Sequence, residues 1–152
     1  MQVFTAPEVF PHEGPSLFLA GGITGCINWQ SEMLRLLVDR GYSDIVLNPR
    51  RENFPMDNPK AAEEQILWEY AALHSASRIL FWFPCETLCP ITLYELGAHC
   101  HRYHDKVPIL IGVHPEFQRK QDVEIQTRLC RPEIKIVYSL EDLANQVVKD
   151  RR

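Results

Sequence analysis

Two glutamates set among apolar and aromatic side chains are the residues of this sequence best suited to chemistry. Glu95 stands in "TLYELG" (92–97), just past a loop bracketed by Pro84 and Pro90 that carries Cys85 and Cys89. Glu69 stands in "LWEYAAL" (67–73). A charged side chain in apolar company is costly unless it is paired or used. Each glutamate therefore reads either as a solvent-facing helix position or as a working carboxylate. Trp68 and Tyr70 around the first, and Leu93, Tyr94 and Leu96 around the second, weigh toward the latter. A carboxylate near a helix N-terminus is held ionised by the helix dipole, which suits a nucleophile.

Other stretches offer weaker signals. "AGGITG" (20–25) places glycines where backbone N–H groups can approach a polar ligand closely. It is neither a GxGxxG fingerprint nor a Walker loop, and a tight strand-to-helix turn explains it equally well. Cys85-x3-Cys89, and His99, Cys100 and His101 with His104, are zinc-ligand types. Their spacing fits no common zinc pattern, and consecutive residues point different ways around a helix. Core thiols and exposed histidines account for them more simply. Cys89 as a thiolate nucleophile is a further option, but no partner spacing supports it. No metal and no organic cofactor is expected.

The elements that must position these residues alternate. "SLFLAG" (16–21), "DIVLN" (44–48), "RILFWF" (78–83), "VPILIGV" (107–113) and "IKIVY" (134–138) read as strands. Between the first two, Asn28 caps a helix whose Trp29, Met33, Leu36 and Leu37 share a face and which Gly41 stops. A helix from about Lys60 puts Ala62, Ile66, Tyr70 and Leu73 on one stripe, and the next puts Leu93, Leu96 and Cys100 on one side. Ser139, with Asp142, caps a last helix that turns Leu140, Leu143 and Val147 inward. This alternation predicts a doubly wound α/β fold: five parallel strands with helices on both faces. In such sheets ligands bind at the carboxyl ends of the strands, near the switch in strand order. Glu69 and Glu95 would reach that crevice from either side.

Composition sets the outer bounds. The 152 residues suit one domain, with residues 1–15 as an N-terminal extension. The formal net charge of −4, with no basic run beyond the terminal "KDRR", argues against nucleic acid or a membrane surface as partner. No apolar stretch approaches the roughly 20 residues of a membrane span, and no signal pattern opens the chain. The expected location is cytoplasmic, where the five cysteines would stay reduced.

"LFLAGGITG", "LNPR", "EYAALHSASRILFWF" and "LYELGAHC", in this order, resemble the nucleoside 2-deoxyribosyltransferase-like family. The resemblance spans residue 16 to about residue 113, and the Tyr-Glu-Leu-Gly motif is its most specific element. It implies a flavodoxin-like (Rossmann-like) enzyme that exchanges nucleobases on 2′-deoxynucleosides, as in nucleotide salvage. Glu95 would be the nucleophile, attacking the anomeric carbon to form a glycosyl ester that a second base resolves. Exchange with retained configuration needs two inversions, hence such a covalent intermediate. Glu69 matches a base-contacting aspartate of the family, with one extra methylene. Cys89 matches a position where transferases carry aspartate and nucleotide-hydrolysing relatives carry serine.

The same resemblance implies that Gly21, Gly22, Ile23 and Thr24 cradle sugar or base. Asn48 and Arg50 would line the base pocket, and Tyr94 would support packing beside the nucleophile. A homo-oligomer built from dimers is implied as well, in which Asp122 and Gln126 of "QDVEIQ" (121–126) complete a neighbour's site. Two rivals stand beside this expectation. One is a hydrolase of deoxynucleoside 5′-monophosphates, for which Arg50 or Arg51 would supply the phosphate charge. The other is a nucleotide-sensing module without turnover, which would need neither glutamate.

Overall fold

Period-two alternation along the strands sorts the core into two layers, one on each face of a single sheet. The computed structural model describes residues 1–101 and 107–149. In chain order the elements are β1 (Gln2–Thr5), β2 (Ser16–Gly21), α1 (Trp29–Asp39), β3 (Ile45–Asn48), α2 (Ala61–Ser75), β4 (Arg78–Phe83), α3 (Pro90–Cys100), β5 (Ile109–Val113), α4 (Lys120–Cys130) and α5 (Leu140–Lys149). The strands pair in the order β1-β3-β2-β4-β5, all parallel, in the expected doubly wound α/β architecture.

On one face Phe18, Ala20, Ile79, Phe81 and Ile111 pack against α2, α3 and α4 through Trp68, Ala72, Leu96 and Val123. On the other, Leu17, Leu19, Val46, Leu80 and Leu110 meet Met33, Leu36 and Leu37 of α1 and Leu143 and Val147 of α5. The α1 stripe is the expected one: Trp29, Met33, Leu36 and Leu37 are all buried. The side chain of Asn28 accepts the Ser31 N–H at 3.1 Å, and Gly41 turns the chain out at φ +71°. Ser139 Oγ accepts the Asp142 N–H at 3.1 Å at the start of α5.

Three expectations need correction. The stripe of α2 is rotated from the one anticipated, with Ala61, Trp68, Ala72 and Leu73 buried while Ile66 and Tyr70 are exposed. Trp68 decides this, because its bulk fills the core and its indole N–H donates to the Glu8 carbonyl at 2.7 Å. Residues 134–138 form no strand. The turn at Arg131–Glu133 and the Ser139 cap consume both ends, leaving the single bridge Gly112–Val137. The fifth strand is β1, which puts part of the anticipated N-terminal extension at the sheet edge beside β3. Among the described residues no helix is long and apolar enough to cross a membrane.

Candidate active site

The order of the strands creates the crevice. From β2 the chain passes to α1 on one face of the sheet; from the adjacent β4 it passes to α3 on the other. The loops after β2 and β4 therefore part, and a cleft opens between the strand ends. A cavity of about 310 Å³ fills it, lined by Gly21, Gly22, Ile23 and Thr24, by Thr87 and Cys89, and by Glu69 and Glu95. That volume lies at the small end of the roughly 300–1,000 Å³ of small-molecule sites.

The glycine loop is built for close approach. A Cβ on Gly21 would run into the Trp29 ring and lie 2.6 Å from the Trp82 carbonyl oxygen; one on Gly22 would lie 2.9 Å from Cys89 Sγ. Loop carbonyls are taken up from behind. Trp29 Nε1 donates to the Gly22 oxygen at 2.8 Å. Arg50, just past β3, donates to Ile23 and Ile27 oxygens at 2.7 Å each, to the Cys26 oxygen at 3.0 Å and to Gln30 Oε1 at 2.9 Å. This corrects the expectation for Arg50: its guanidinium fastens the loop and does not line the cavity. Asn48 is likewise turned to structure, accepting the Arg50 N–H at 3.0 Å.

Glu69 on α2 and Glu95 on α3 face each other across the cavity, both half-buried. The dipole argument for Glu95 fails on placement. It is the sixth residue of α3, past the first turn where the dipole acts. Burial, reinforced by the charge of Glu69, pushes its carboxyl up to about 8. Burial also raises Glu69, but there the Gln65 hydrogen bond and the Arg51 charge pull back down. Gln65 Nε2 donates to Glu69 Oε1 at 2.7 Å and to the Pro49 oxygen at 2.7 Å. Gln65 Oε1 accepts in turn from Arg51 Nε at 2.7 Å, and Arg51 is also paired with Glu64 at 2.9 Å. The negative charge of the pair is thereby steered to Glu69, and the proton to Glu95.

Sequence reasoning missed Gln65, and named Arg51 only as a phosphate contact of the rival reading. The available signal was spacing, since Gln65 and Glu69 are four apart on one helix face. Cys89, at the mouth of α3, is the only described non-glycine residue at positive φ (+48°), and Pro90 follows at the first helical position. Burial pushes its thiol to about 12, so the thiolate-nucleophile option has no support. Tyr94 is 77% exposed, where a side chain packed beside Glu95 was expected. Asp122 and Gln126 lie outside the cleft, on a separate hollow of about 170 Å³ between α3 and α4. Asp122 is paired there with Arg119 at 3.0 Å. Neither Cys85 with Cys89 nor His99 with Cys100 and His101 converges in a metal-ligating group, and His104 lies outside the described residues.

A doubly wound α/β domain whose switch-point cleft opposes two carboxyl groups, one with its ionisation pushed up to about 8, is equipped for nucleophilic and acid–base work on a small ligand. The chain belongs to the nucleoside 2-deoxyribosyltransferase-like family, whose model matches residues 14–117 and so covers the glycine loop, both glutamates and β5. Among curated proteins none matches the sequence significantly.

Proposed function

We propose that this protein cleaves and re-forms the N-glycosidic bond of 2′-deoxynucleosides, carrying the sugar on Glu95 between two bases. The observation that carries the reading is the pair Glu69 and Glu95 in one switch-point cavity within the span matched by the family. Burial keeps a proton on Glu95 up to about 8, and the reaction uses one proton. The proton passes from Glu95 to Glu69 and on to the leaving base as the C–N bond breaks. The freed Glu95 carboxylate bonds to the anomeric carbon with inversion. A second base, losing its proton to Glu69, displaces the ester with a second inversion, so configuration is retained.

The cavity lining favours a nucleoside over its 5′-monophosphate, because among the described residues it contains no cationic side chain. Arg50 is committed to four oxygens of the loop and its flank, and Arg51 to Gln65 and Glu64. Incubation with deoxyinosine, with and without free adenine, tests the proposal by chromatography. Deoxyadenosine formed only with adenine supports transfer. Hypoxanthine released at the same rate without adenine would make the protein a hydrolase, and binding without products a sensor.

Oligomerisation belongs to the same proposal. The helices on the cleft side leave Ile66, Leu67 and Tyr70 of α2, Ile91 and Tyr94 of α3 and Leu129 of α4 exposed, an apolar surface suited to a second copy. Asp122 and Gln126 would then reach the neighbour's cleft. A dimer or larger species in ultracentrifugation is expected, and mixing Glu95→Ala with Gln126→Ala chains should restore activity lost in both. A monomer at working concentration would refute shared sites, as would no recovery despite subunit exchange between two inactive parents.

A further inference from the structure

We infer that Cys85, His114 and Glu116 form a binding site for a Zn²⁺-class divalent cation at the ends of β4 and β5. The thiol, imidazole and carboxylate donor atoms all lie within 4.8 Å of one another. No other such grouping occurs among the described residues. Four-coordinate zinc holds its ligands roughly 3.3–3.8 Å apart, given bonds of about 2.0–2.3 Å. A contraction of about 1 Å, within reach of side-chain rotation, would close the site.

The backbone beneath is firmly held. Phe83 and Val113 are partners in the β4–β5 register, and the His114 N–H donates to the Phe83 oxygen at 2.9 Å. The Phe117 N–H donates to the His114 oxygen at 2.9 Å, closing a turn that folds Glu116 back over the histidine. The edge of the Trp82 ring meets the His114 ring at 6.5 Å and 83°. These contacts fix the His114 end of the site, one residue beyond β5; Cys85 lies two residues beyond β4, its thiol 3.7 Å from Glu86 Oε2.

The donor set selects the metal class. A thiolate with an imidazole suits zinc and similar first-row divalent ions, whereas magnesium and calcium take oxygen ligands. Three protein ligands leave a fourth position to solvent. Binding displaces the Cys85 proton, so affinity falls as pH falls. His114 Nδ1 accepts the Glu116 N–H at 3.2 Å, a weak bond that the ring gives up or rearranges on taking the metal. The bound ion would pin the β4–α3 loop to the end of β5, and that loop supplies Thr87 and Cys89 to the cleft wall.

Cobalt(II) titration of the metal-free, reduced protein tests the inference, because thiolate-to-cobalt charge transfer reports a cysteine ligand directly. One equivalent per chain is expected to bind, with a charge-transfer band that zinc abolishes by displacement. Cys85→Ser should remove the band; His114→Ala and the surface change Glu116→Gln should each weaken binding tenfold or more. The double variants Cys100→Ser, Cys130→Ser and Cys26→Ser, Cys89→Ser, which remove the two other neighbouring thiol pairs, should each keep it. No band in the wild-type protein, or a band that survives Cys85→Ser, would overturn the site whatever the protein's activity proves to be.

Discussion

Gln65 holds Glu69: the amide of one donates to the carboxylate of the other at 2.7 Å, from one helical turn away on α2. The amide is itself fixed by the Pro49 carbonyl and by Arg51. Its contact breaks the symmetry of two carboxyl groups in one cleft. Glu69 receives a donor and a nearby positive charge, whereas burial and a negative neighbour act on Glu95.

Gln65→Leu should therefore raise the titration of Glu69 and let the proton distribute between both carboxyls. A hydrogen bond to a charged group is worth about 1.5–3 kcal/mol. The expected rate loss is about 10- to 100-fold, mainly in kcat, with melting temperature little changed. Carbon-13 NMR of the side-chain carboxyls, followed against pH, should show the altered order of titration directly. Unchanged titration would mean that Gln65 serves only the helix.

Turnover should require the proton that Glu95 passes through Glu69 to the leaving base. Burial lets Glu95 keep it up to about 8 instead of the ordinary 4.5, so kcat/KM should fall through a descending limb near pH 8 as that proton is lost. Glu95→Ala should abolish turnover while the fold persists. Mass spectrometry of protein quenched with a slow 2-fluoro-deoxynucleoside should place the sugar on Glu95. An active Glu95→Ala protein would remove it from the nucleophile role.

Stability should record the same burial with the same trend. The unfolded carboxyl ionises near 4.5 and the folded one near 8, so between these values the folded state binds more protons. Stability contributed by the protonated form is complete below 4.5 and is lost as pH rises toward 8. Glu95→Gln, which keeps the shape without the charge, should raise the melting temperature several degrees above pH 8 and hardly at all near pH 4. A shift independent of pH would point to packing alone.

Glu69→Gln removes the last proton donor to the base. General acid assistance contributes typically 10²–10⁴-fold, and a loss in that range is expected with natural bases. Substrates whose leaving group needs no proton should lose far less. Equal losses on both, measured side by side, would assign Glu69 a role in shape.

The fold was legible where one residue type dominated a local decision. Asn28 before Trp29, and Ser139 before Asp142, announced helix starts because few other residues cap so well. The stripe on α2 was not legible, because Ile66, Leu67, Trp68, Tyr70 and Leu73 surround the helix with apolar groups. Only the three-dimensional fit of Trp68 beneath Glu8 and beside Phe10 chooses among them. β1 is four residues long and paired on one side only, too short for its alternation to register. In the site, residue types pointed to both glutamates and the glycines. Arg50 misled, since a cation beside a cleft reads as a ligand group until its four oxygen partners are seen. The Cys85–His114–Glu116 grouping was hidden for a different reason: its members come from two strand ends brought together only by the sheet.

The fastening of the glycine loop by Arg50 bears on how this protein can be re-engineered. Residues 20–28 look like a portable cassette, a short stretch between one strand and one helix. They are not, because the group that sets their shape is encoded at position 50, beyond the next strand. A chimera receiving the loop alone would inherit its sequence without its curvature. Lysine at position 50 would not restore it, since one ammonium cannot span the three carbonyls that a planar guanidinium holds at once. Loop and arginine form one unit of inheritance, and recombination between relatives would have to carry the whole segment from β2 through position 50 to move the cleft intact.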